Sequence, residues 1–319
     1  MSSVVEKQSF SELTQCPICR GDLHQGESEW TCQSYECGSS FPCLEGIPIL
    51  LNEANSVFET KTFLAQNATF FKPRGRMRAI LSDCLPTEQF NLAAERVLAD
   101  MRDRLRKKTL KPRVLVLGGG ILGAGMHIFA DDPDIELVET DVSLEERTQL
   151  ICDGHDLPFR DGSFDGVIVQ ATLEHVVDPH RCLQEIERVL RPEGLVYSDT
   201  PFIQQVHGRE FDFTRFTRLG HRRLFRNFEE LDSGISVGPG SALAWSIRYF
   251  LLSFCESRTS RRIVSAIARC SVSWLKYFDL YLGKRGPALD AASAFYFLGQ
   301  KSTRTLADEE LLAQYEGGF

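Results

Sequence analysis

Residues 150–201 read LICDGHDLPFRDGSFDGVIVQATLEHVVDPHRCLQEIERVLRPEGLVYSDTP. One strand is expected to end at Asp153 and a second, FDGVIVQ, at Gln170. Asp178 stands where a side-chain oxygen can accept from the first free amides of a helix. Pro179 takes the first helical position, where a missing N–H costs nothing. Cys182, Leu183, Ile186, Val189 and Leu190 recur on one helical face. The RPEG run at Arg191–Gly194 stops that helix, and LVYSDTP returns as a strand. Strand and helix alternate, which predicts an α/β fold built on a parallel, doubly wound sheet.

Upstream, residues 114–125 read VLVLGGGILGAG. The apolar run is a strand, followed by a glycine turn and a helix through Ile128 and Phe129. Gly118 and Gly120 let the backbone turn sharply and approach a ligand that a Cβ would block. Gly118, Gly120 and Gly123 have the G-x-G-x-x-G spacing, which suits the pyrophosphate of NAD as well as S-adenosylmethionine. The next strand, IELVET, ends on Asp141. An acid about twenty residues past the turn can accept from both ribose hydroxyls. To this point both nucleotides fit.

The motifs of the third unit separate them. Asp153–Phe159, Ser163–Val167, Leu173–His175 and Arg188–Gly194 closely resemble the class I S-adenosylmethionine-dependent methyltransferases, in the branch carrying LPF, SFD, LEH and RVL-x-P-x-G. The resemblance spans about 113–201, with weaker support to 302. It implies a Rossmann-like domain over 113–302 and a set of roles. Gly118 and Gly120 would line the methionine end of the cofactor, and Asp141 would hold the ribose. Asp153, Gly154 and His155 would edge the adenine, and Gln170 would lie beneath the cofactor. Two positions depart from the pattern. Val116 replaces the acid common in the first strand, and Leu122 stands where a third glycine is expected, with Gly123 next. The methionine ammonium loses a partner, or another group meets it.

Half of the ten cysteines crowd into 16–43. Cys16 and Cys19 form C-x2-C, and Cys32 and Cys37 form C-x4-C. Four thiolates from two turns satisfy a tetrahedral zinc, leave no open position, and make its role structural. Cys43 could replace Cys37, although Phe41 and Ile47 beside it favour an apolar filler. CPIC together with FPCLEGIPILL resembles the short Trm112-like zinc ribbons, a class associated with methyltransferases. The C-x4-C knuckle departs from the commoner C-x2-C. A ribbon over 11–52 is expected, then a helical connector over 53–112. Leu92, Val97, Leu98, Met101 and Leu105 predict an amphipathic helix in that connector, and the basic run Arg102–Arg113 its solvated end.

Methyl transfer is an in-line displacement that rewards alignment of nucleophile, methyl and sulfur. A base is needed only when the acceptor is protonated at attack. The acceptor side should come from residues 201–225, because ligands sit at the carboxyl ends of a parallel sheet. His207 is the first candidate base and His175 the second; each could instead only shape its loop or pack a helix. Arg209, Arg215, Arg218, Arg222, Arg223 and Arg226 could clamp an anion or form a salt-bridged face. Metal outside the cysteines is not expected. No N-P-P-Y type motif follows Gln170, which turns the expectation from amide or adenine nitrogen toward oxygen of a small-molecule or glycan-type acceptor. Residues 238–290 read as an inserted helical segment or lid, with Trp245, Tyr249, Phe250 and Leu251 facing a helix core. Residues 293–302 should be a final antiparallel edge strand, and 303–319 a short helix or tail.

Composition sets outer bounds. In 319 residues, 43% are hydrophobic and 25% charged, with a net charge of −8. That balance buries a core and gives no general attraction to phosphate backbones, so nucleic acid is not an expected partner. The N-terminus lacks the apolar core of a signal peptide, and clustered thiols suit a reducing compartment, so a cytoplasmic protein is expected. Ser241–Cys255 is apolar but too short to span a bilayer, leaving peripheral membrane contact as its strongest membrane reading. Two rival readings remain. One is a non-catalytic binding or scaffold protein, motivated by Val116 and Leu122. The other is an NAD-dependent oxidoreductase, motivated by the glycine spacing alone.

Overall fold

The structure, a computed structural model, describes residues 12–66 and 85–318. Part of the expected connector, 67–84, lies outside the described residues. The N-terminal unit is a four-stranded antiparallel meander of β1 (Leu23–Gln25), β2 (Glu29–Cys32), β3 (Ser40–Leu44) and β4 (Ile47–Pro48). Two turns flank it and bring Cys16, Cys19, Cys32 and Cys37 together, a zinc-ribbon-like arrangement. Helix α1 (Thr60–Gln66) and helix α2 (Ala94–Lys108) follow. α2 buries Val97, Leu98, Met101 and Leu105, the stripe expected from spacing. The basic run at its end is paired with acids: Arg106 with Asp132 and Asp134, Arg113 with Glu136.

The main sheet has seven strands: β5 (Arg113–Leu117), β6 (Glu136–Asp141), β7 (Leu150–Ile151), β8 (Phe164–Gln170), β9 (Leu190–Pro201), β10 (Phe228–Val237) and β11 (Ala294–Lys301). Their order is β10-β11-β9-β8-β5-β6-β7. β5 pairs parallel with both β6 and β8, and only β11 runs against its neighbours. Residues 293–302 were expected at the edge; instead β11 sits between β9 and β10. Its apolar run is buried on both faces (Phe295 and Phe297 on one, Tyr296 and Leu298 on the other), and an edge position would leave one row of its backbone groups unpaired. The RPEG segment bulges out of β9. Pairing with β8 jumps from Leu190 to Leu195, and Glu193 takes a left-handed φ of 59°.

Both faces of the sheet are covered, which explains the continuous VLVL run. Leu115, Leu117, Val167 and Val169 pack with α4 (Pro179–Val189), while Val114, Val116 and Ile168 pack with α2. Asp178 caps α4, accepting from His180 N and Arg181 N. The LPF, SFD and RVL motifs hold one another. Phe159 meets Phe164 edge-to-face at 5.0 Å, and Arg188 donates to the carbonyls of Leu157 and Phe159 while pairing with Glu185.

The helix expected after the glycine turn is a single turn, α3 (His127–Ala130). Beyond β9 come α5 (Arg218–Leu224), α6 (Pro239–Leu252), α7 (Arg258–Val272), α8 (Asp279–Leu282) and α9 (Asp308–Leu312). The insertion is thus helical, but its apolar residues do not all face inward: Phe250 is 64% and Phe254 73% exposed. Among the described residues no helix is long and apolar enough to cross a membrane.

The ribbon is joined to the sheet by main chain. Leu50 N donates to Ile151 O, Gln15 N to Pro158 O and Arg160 N to Leu13 O. Trp30, Phe41 and Leu50 share one buried cluster with Phe159 and Phe164.

Candidate functional site

The chain runs outward from β5 to β7 and returns to β8, so the strand order reverses between β5 and β8. A crevice opens at the carboxyl ends of strands at such a point. Two adjoining cavities of about 390 and 640 Å³ lie there, sharing Leu117, Gly118, Ala171 and His207.

The smaller cavity collects most of the expected cofactor residues: Gly118, Asp141, Asp153, Gly154 and His155. Gly118 has φ +71°, and a Cβ there would collide with the hydroxyl of Thr172, which itself donates to Leu117 O. Only glycine meets both demands without strain. Gly120 is absent from the lining; its N–H donates to Asp141 Oδ2 at 3.0 Å and so orients the acid. Burial pushes Asp141 up to about 6, against that hydrogen bond.

Asp153 is the better satisfied acid. Its Oδ1 accepts from His155 N, and its Oδ2 from Ser56 Oγ. His155 Nε2 accepts from Asp178 N at 3.0 Å. The proton of that imidazole therefore sits on Nδ1, 2.7 Å from Asp153. Burial works against the charge on Asp153, but the His155 and Ser56 hydrogen bonds outweigh it and hold the acid below its usual range. Ser56 belongs to the segment that leaves the ribbon, and its neighbours Val57 and Phe58 form the cavity wall. Nothing local in the sequence marks Ser56.

The larger cavity takes Gly123, Gln170, Val116, Leu122, Glu174, Asp199, His207 and Trp245. Gln170 Nε2 donates to Ala124 O, while its Oε1 is buried with no hydrogen-bond partner. Asp199, at the end of β9, accepts from Asn91 and Ser236. Burial and the neighbouring Glu174 push it up to about 7, against those hydrogen bonds. Sequence reasoning passed over Asp199, Asn91 and Glu174.

His207 and His175 meet here, ring centroids 4.9 Å apart. Both face the carboxylate of Glu174, with Nε2–Oε1 separations of 3.6 and 3.9 Å. Gly208 makes this approach possible, since a Cβ would strike the His175 ring. Burial disfavours charge on His207, but Glu174 more than compensates and its pKa lies above the ordinary value. The arginines expected as an anion clamp are mostly committed elsewhere. Arg215 pairs with Asp212, Arg218 with Glu316, Arg222 with Glu230, and Arg223 and Arg226 with Asp308. Arg209 stays on the wall of the smaller cavity.

In the ribbon, Sγ–Sγ distances of 3.8 Å (Cys16–Cys37) and 3.4 Å (Cys19–Cys32) match the edge of about 3.8 Å expected of a tetrahedron with 2.3 Å zinc–sulfur bonds. Cys43 lies outside this set of four and packs against the core.

Residues 121–198 match the model of the methyltransferase domain family. Over 95 residues the chain is 33% identical to the demethylmenaquinone methyltransferase of Clavibacter sepedonicus, a match covering 26% of this chain and 39% of that protein. Over 193 residues it is 28% identical to the glycine/sarcosine/dimethylglycine N-methyltransferase of Actinopolyspora halophila, covering 50% of this chain and 33% of that one. The chain thus spans well under half the length of these curated relatives. Among solved structures it is similar to the phosphoethanolamine N-methyltransferase 2 of Haemonchus contortus in complex with S-adenosyl-L-methionine. That likeness has a TM-score of 0.40 and 14% identity, over 64% of this chain and 52% of that one.

Proposed function

We propose that this chain is an S-adenosylmethionine-dependent methyltransferase acting on an oxygen of a small-molecule or glycan-type acceptor. One observation carries the reading. The glycine turn after β5, the acid ending β6 and the Asp153–His155 turn line a single cavity at the point where the strand order reverses. In this reading Asp141 accepts from the ribose hydroxyls, and Gly154 and His155 edge the adenine beside Asp153. Gly118 gives the methionine end its close approach, and the Gly120 N–H holds Asp141 in place for the ribose. Val116 leaves the ammonium without the usual acid, and the unpartnered Oε1 of Gln170 offers it an acceptor.

The methyl then points toward the larger cavity, where His207 and His175 stand with Glu174. These are the groups placed to deal with the proton of an oxygen nucleophile. The four ribbon thiolates hold a structural zinc, and the reduced thiols suit a cytoplasmic setting.

The dinucleotide alternative lacks its main requirement. A pyrophosphate needs a helix N-terminus directly after the glycines, and here the first helical residue is His127, followed by one turn only. Calorimetric titration tests the proposal. Micromolar binding of S-adenosylmethionine is expected, weakened ten- to a hundredfold in Asp141→Asn. No heat at millimolar cofactor, or NAD displacing the sulfonium, would overturn it.

A further inference from the structure

The larger cavity holds an arrangement that the residues alone leave electrostatically incomplete. Glu174 is 1% exposed, and both carboxylate oxygens are buried without a hydrogen-bond partner. Two imidazole nitrogens face it. His175 Nδ1 lies 2.7 Å from the carbonyl oxygen of Phe211. A carbonyl only accepts, so that nitrogen carries the proton and the Nε2 lone pair is turned to Glu174. His207 Nδ1 has Gln205 O at 3.3 Å and Asp212 Oδ2 at 3.6 Å as acceptors and Arg215 Nη2 at 3.5 Å as a donor, so these contacts do not fix its tautomer, and its Nε2 faces Glu174 from the other side. The unpartnered Glu174 carboxylate and the His175 lone pair are thus turned to one point, with His207 Nε2 beside them. A second buried acid, Asp199, lines the same cavity. Leaving such groups unmatched away from water is costly.

We infer that Glu174, His175 and His207 form a binding site for a divalent first-row transition cation. One carboxylate and two neutral imidazoles suit manganese, iron, cobalt or zinc. The three ligand atoms lie within 4.8 Å of one another. A shared cation with bonds of about 2.1 Å would draw them to about 3 Å apart. The Phe211 carbonyl gives the other ring nitrogen of His175 the backing that metal-bound histidines require, and Gln205 O, Asp212 and Arg215 surround that of His207. Three protein ligands leave positions free, and those positions face the acceptor cavity, because Glu174 and His207 are part of its lining. The sequence hides the set, since His207 is more than thirty residues from the Glu174–His175 pair.

Resting on the methyltransferase reading, this site selects an acceptor that offers oxygen to the cation. The cation holds the hydroxyl oxygen and makes it more acidic. The O–H bond breaks and its proton passes to solvent. The oxygen–methyl bond forms as the methyl–sulfur bond breaks, with the electron pair going to sulfur. The sulfonium becomes a neutral thioether. The histidines then deal with that proton through the cation they hold rather than as a base.

The test uses the full chain, stripped with EDTA and reloaded with cobalt or manganese. Metal is counted by plasma mass spectrometry, and cobalt sites are typed by absorption. Two cobalt equivalents are expected, one with the intense thiolate band of the ribbon and one without it. Glu174→Gln and His207→Ala should each keep the thiolate-bound equivalent and lose the other. Retention of the ribbon signal and of the thermal transition shows that a variant has folded, and His175→Ala serves as a third probe. Uptake of a single, thiolate-type equivalent overturns the inference in favour of an imidazolium–carboxylate pair; full uptake by Glu174→Gln also overturns it, by placing the second cation elsewhere. Cofactor titration of the same samples keeps the two readings apart. Cofactor binding without a second cation sinks this inference alone, whereas a second cation without cofactor binding sinks the methyltransferase reading.

Discussion

The two ends of the cleft are walled by additions from opposite ends of the chain, and the two walls are built differently. At the smaller cavity the wall is the segment Ser56–Phe58, delivered by the ribbon. The ribbon shares a buried core with the sheet, exchanges main-chain hydrogen bonds with it, and gathers four thiols at one point. At the larger cavity the wall includes Trp245, on a helical insertion that meets the sheet through a small apolar cluster, Leu282, Ala288 and Leu289 against Ile235 and Phe295, and through a few polar contacts. Within the insertion Asp279 accepts from Gly240 N and Ser241 N; toward the rest of the chain Arg248 pairs with Glu88, and Trp245 Nε1 donates to Gln89. Much of the insertion's apolar surface stays in solvent. A wall sharing the core suits a ligand that never changes. A wall held by a small satellite cluster and a few polar contacts can be remodelled with less disturbance to the main core.

This contrast can be broken or sharpened by substitution. The largest effect is expected at Trp30, 2% exposed in the ribbon. Trp30→Ala should cost about 4 kcal/mol, read from the shift in denaturant midpoint. A loss below 1 kcal/mol would mean that the ribbon is not part of the common core.

Asp141→Asn should act in the opposite direction on stability. Burial raises Asp141 from 3.8 to about 6. Between those values the folded chain holds a proton that the unfolded chain has released, so stability falls as pH rises through the window and stays lower above it. Without cofactor, the variant should be about 3 kcal/mol more stable than the parent at pH 7.5 and nearly equal to it at pH 4. Equal melting curves at pH 7.5 would show that the acid carries no such strain.

Ser56→Ala removes the hydroxyl that links the ribbon's segment to Asp153. A loss of about 2 kcal/mol is expected, as for a hydrogen bond to a charged group, together with weaker cofactor binding by calorimetry. Unchanged values for both would detach the ribbon from the site. Smallest of all should be Phe254→Ala in the insertion, within about 0.5 kcal/mol. A cost comparable to that of Trp30 would erase the distinction between the two walls.

Much of the sheet could be read from the chain because its evidence is local. The cap at Asp178, the stripe on α4, the alternating faces of VLVL and the glycines before Asp141 all lie within a few residues of one another. What escaped reading depends on long separations. Ser56 and Asp153 are 97 residues apart, and Asn91 and Asp199 are 108 apart; no periodicity announces such pairs. The union of Glu174 and His175 with His207 is of the same kind, brought about by a loop and by the glycine after it. β11 was recognised as a strand and misplaced in the sheet, because its pattern shows two buried faces without saying which neighbours cover them. The insertion was recognised as helical, but of the aromatics assigned to its core Phe250 faces solvent and Trp245 lines the cavity.

The position of β11 has a consequence for how the molecule is made. β10 leaves the ribosome first, yet its ladder partner is β11, and more than fifty residues of insertion come between them. During synthesis β10 therefore waits with both of its edges unsatisfied, while β5 to β9 can already assemble. The half of the sheet beside the larger cavity closes only when the last strand threads into the gap. Shortening the chain before residue 294 would strand β10 altogether, and the expected product is an aggregating fragment rather than a smaller working domain.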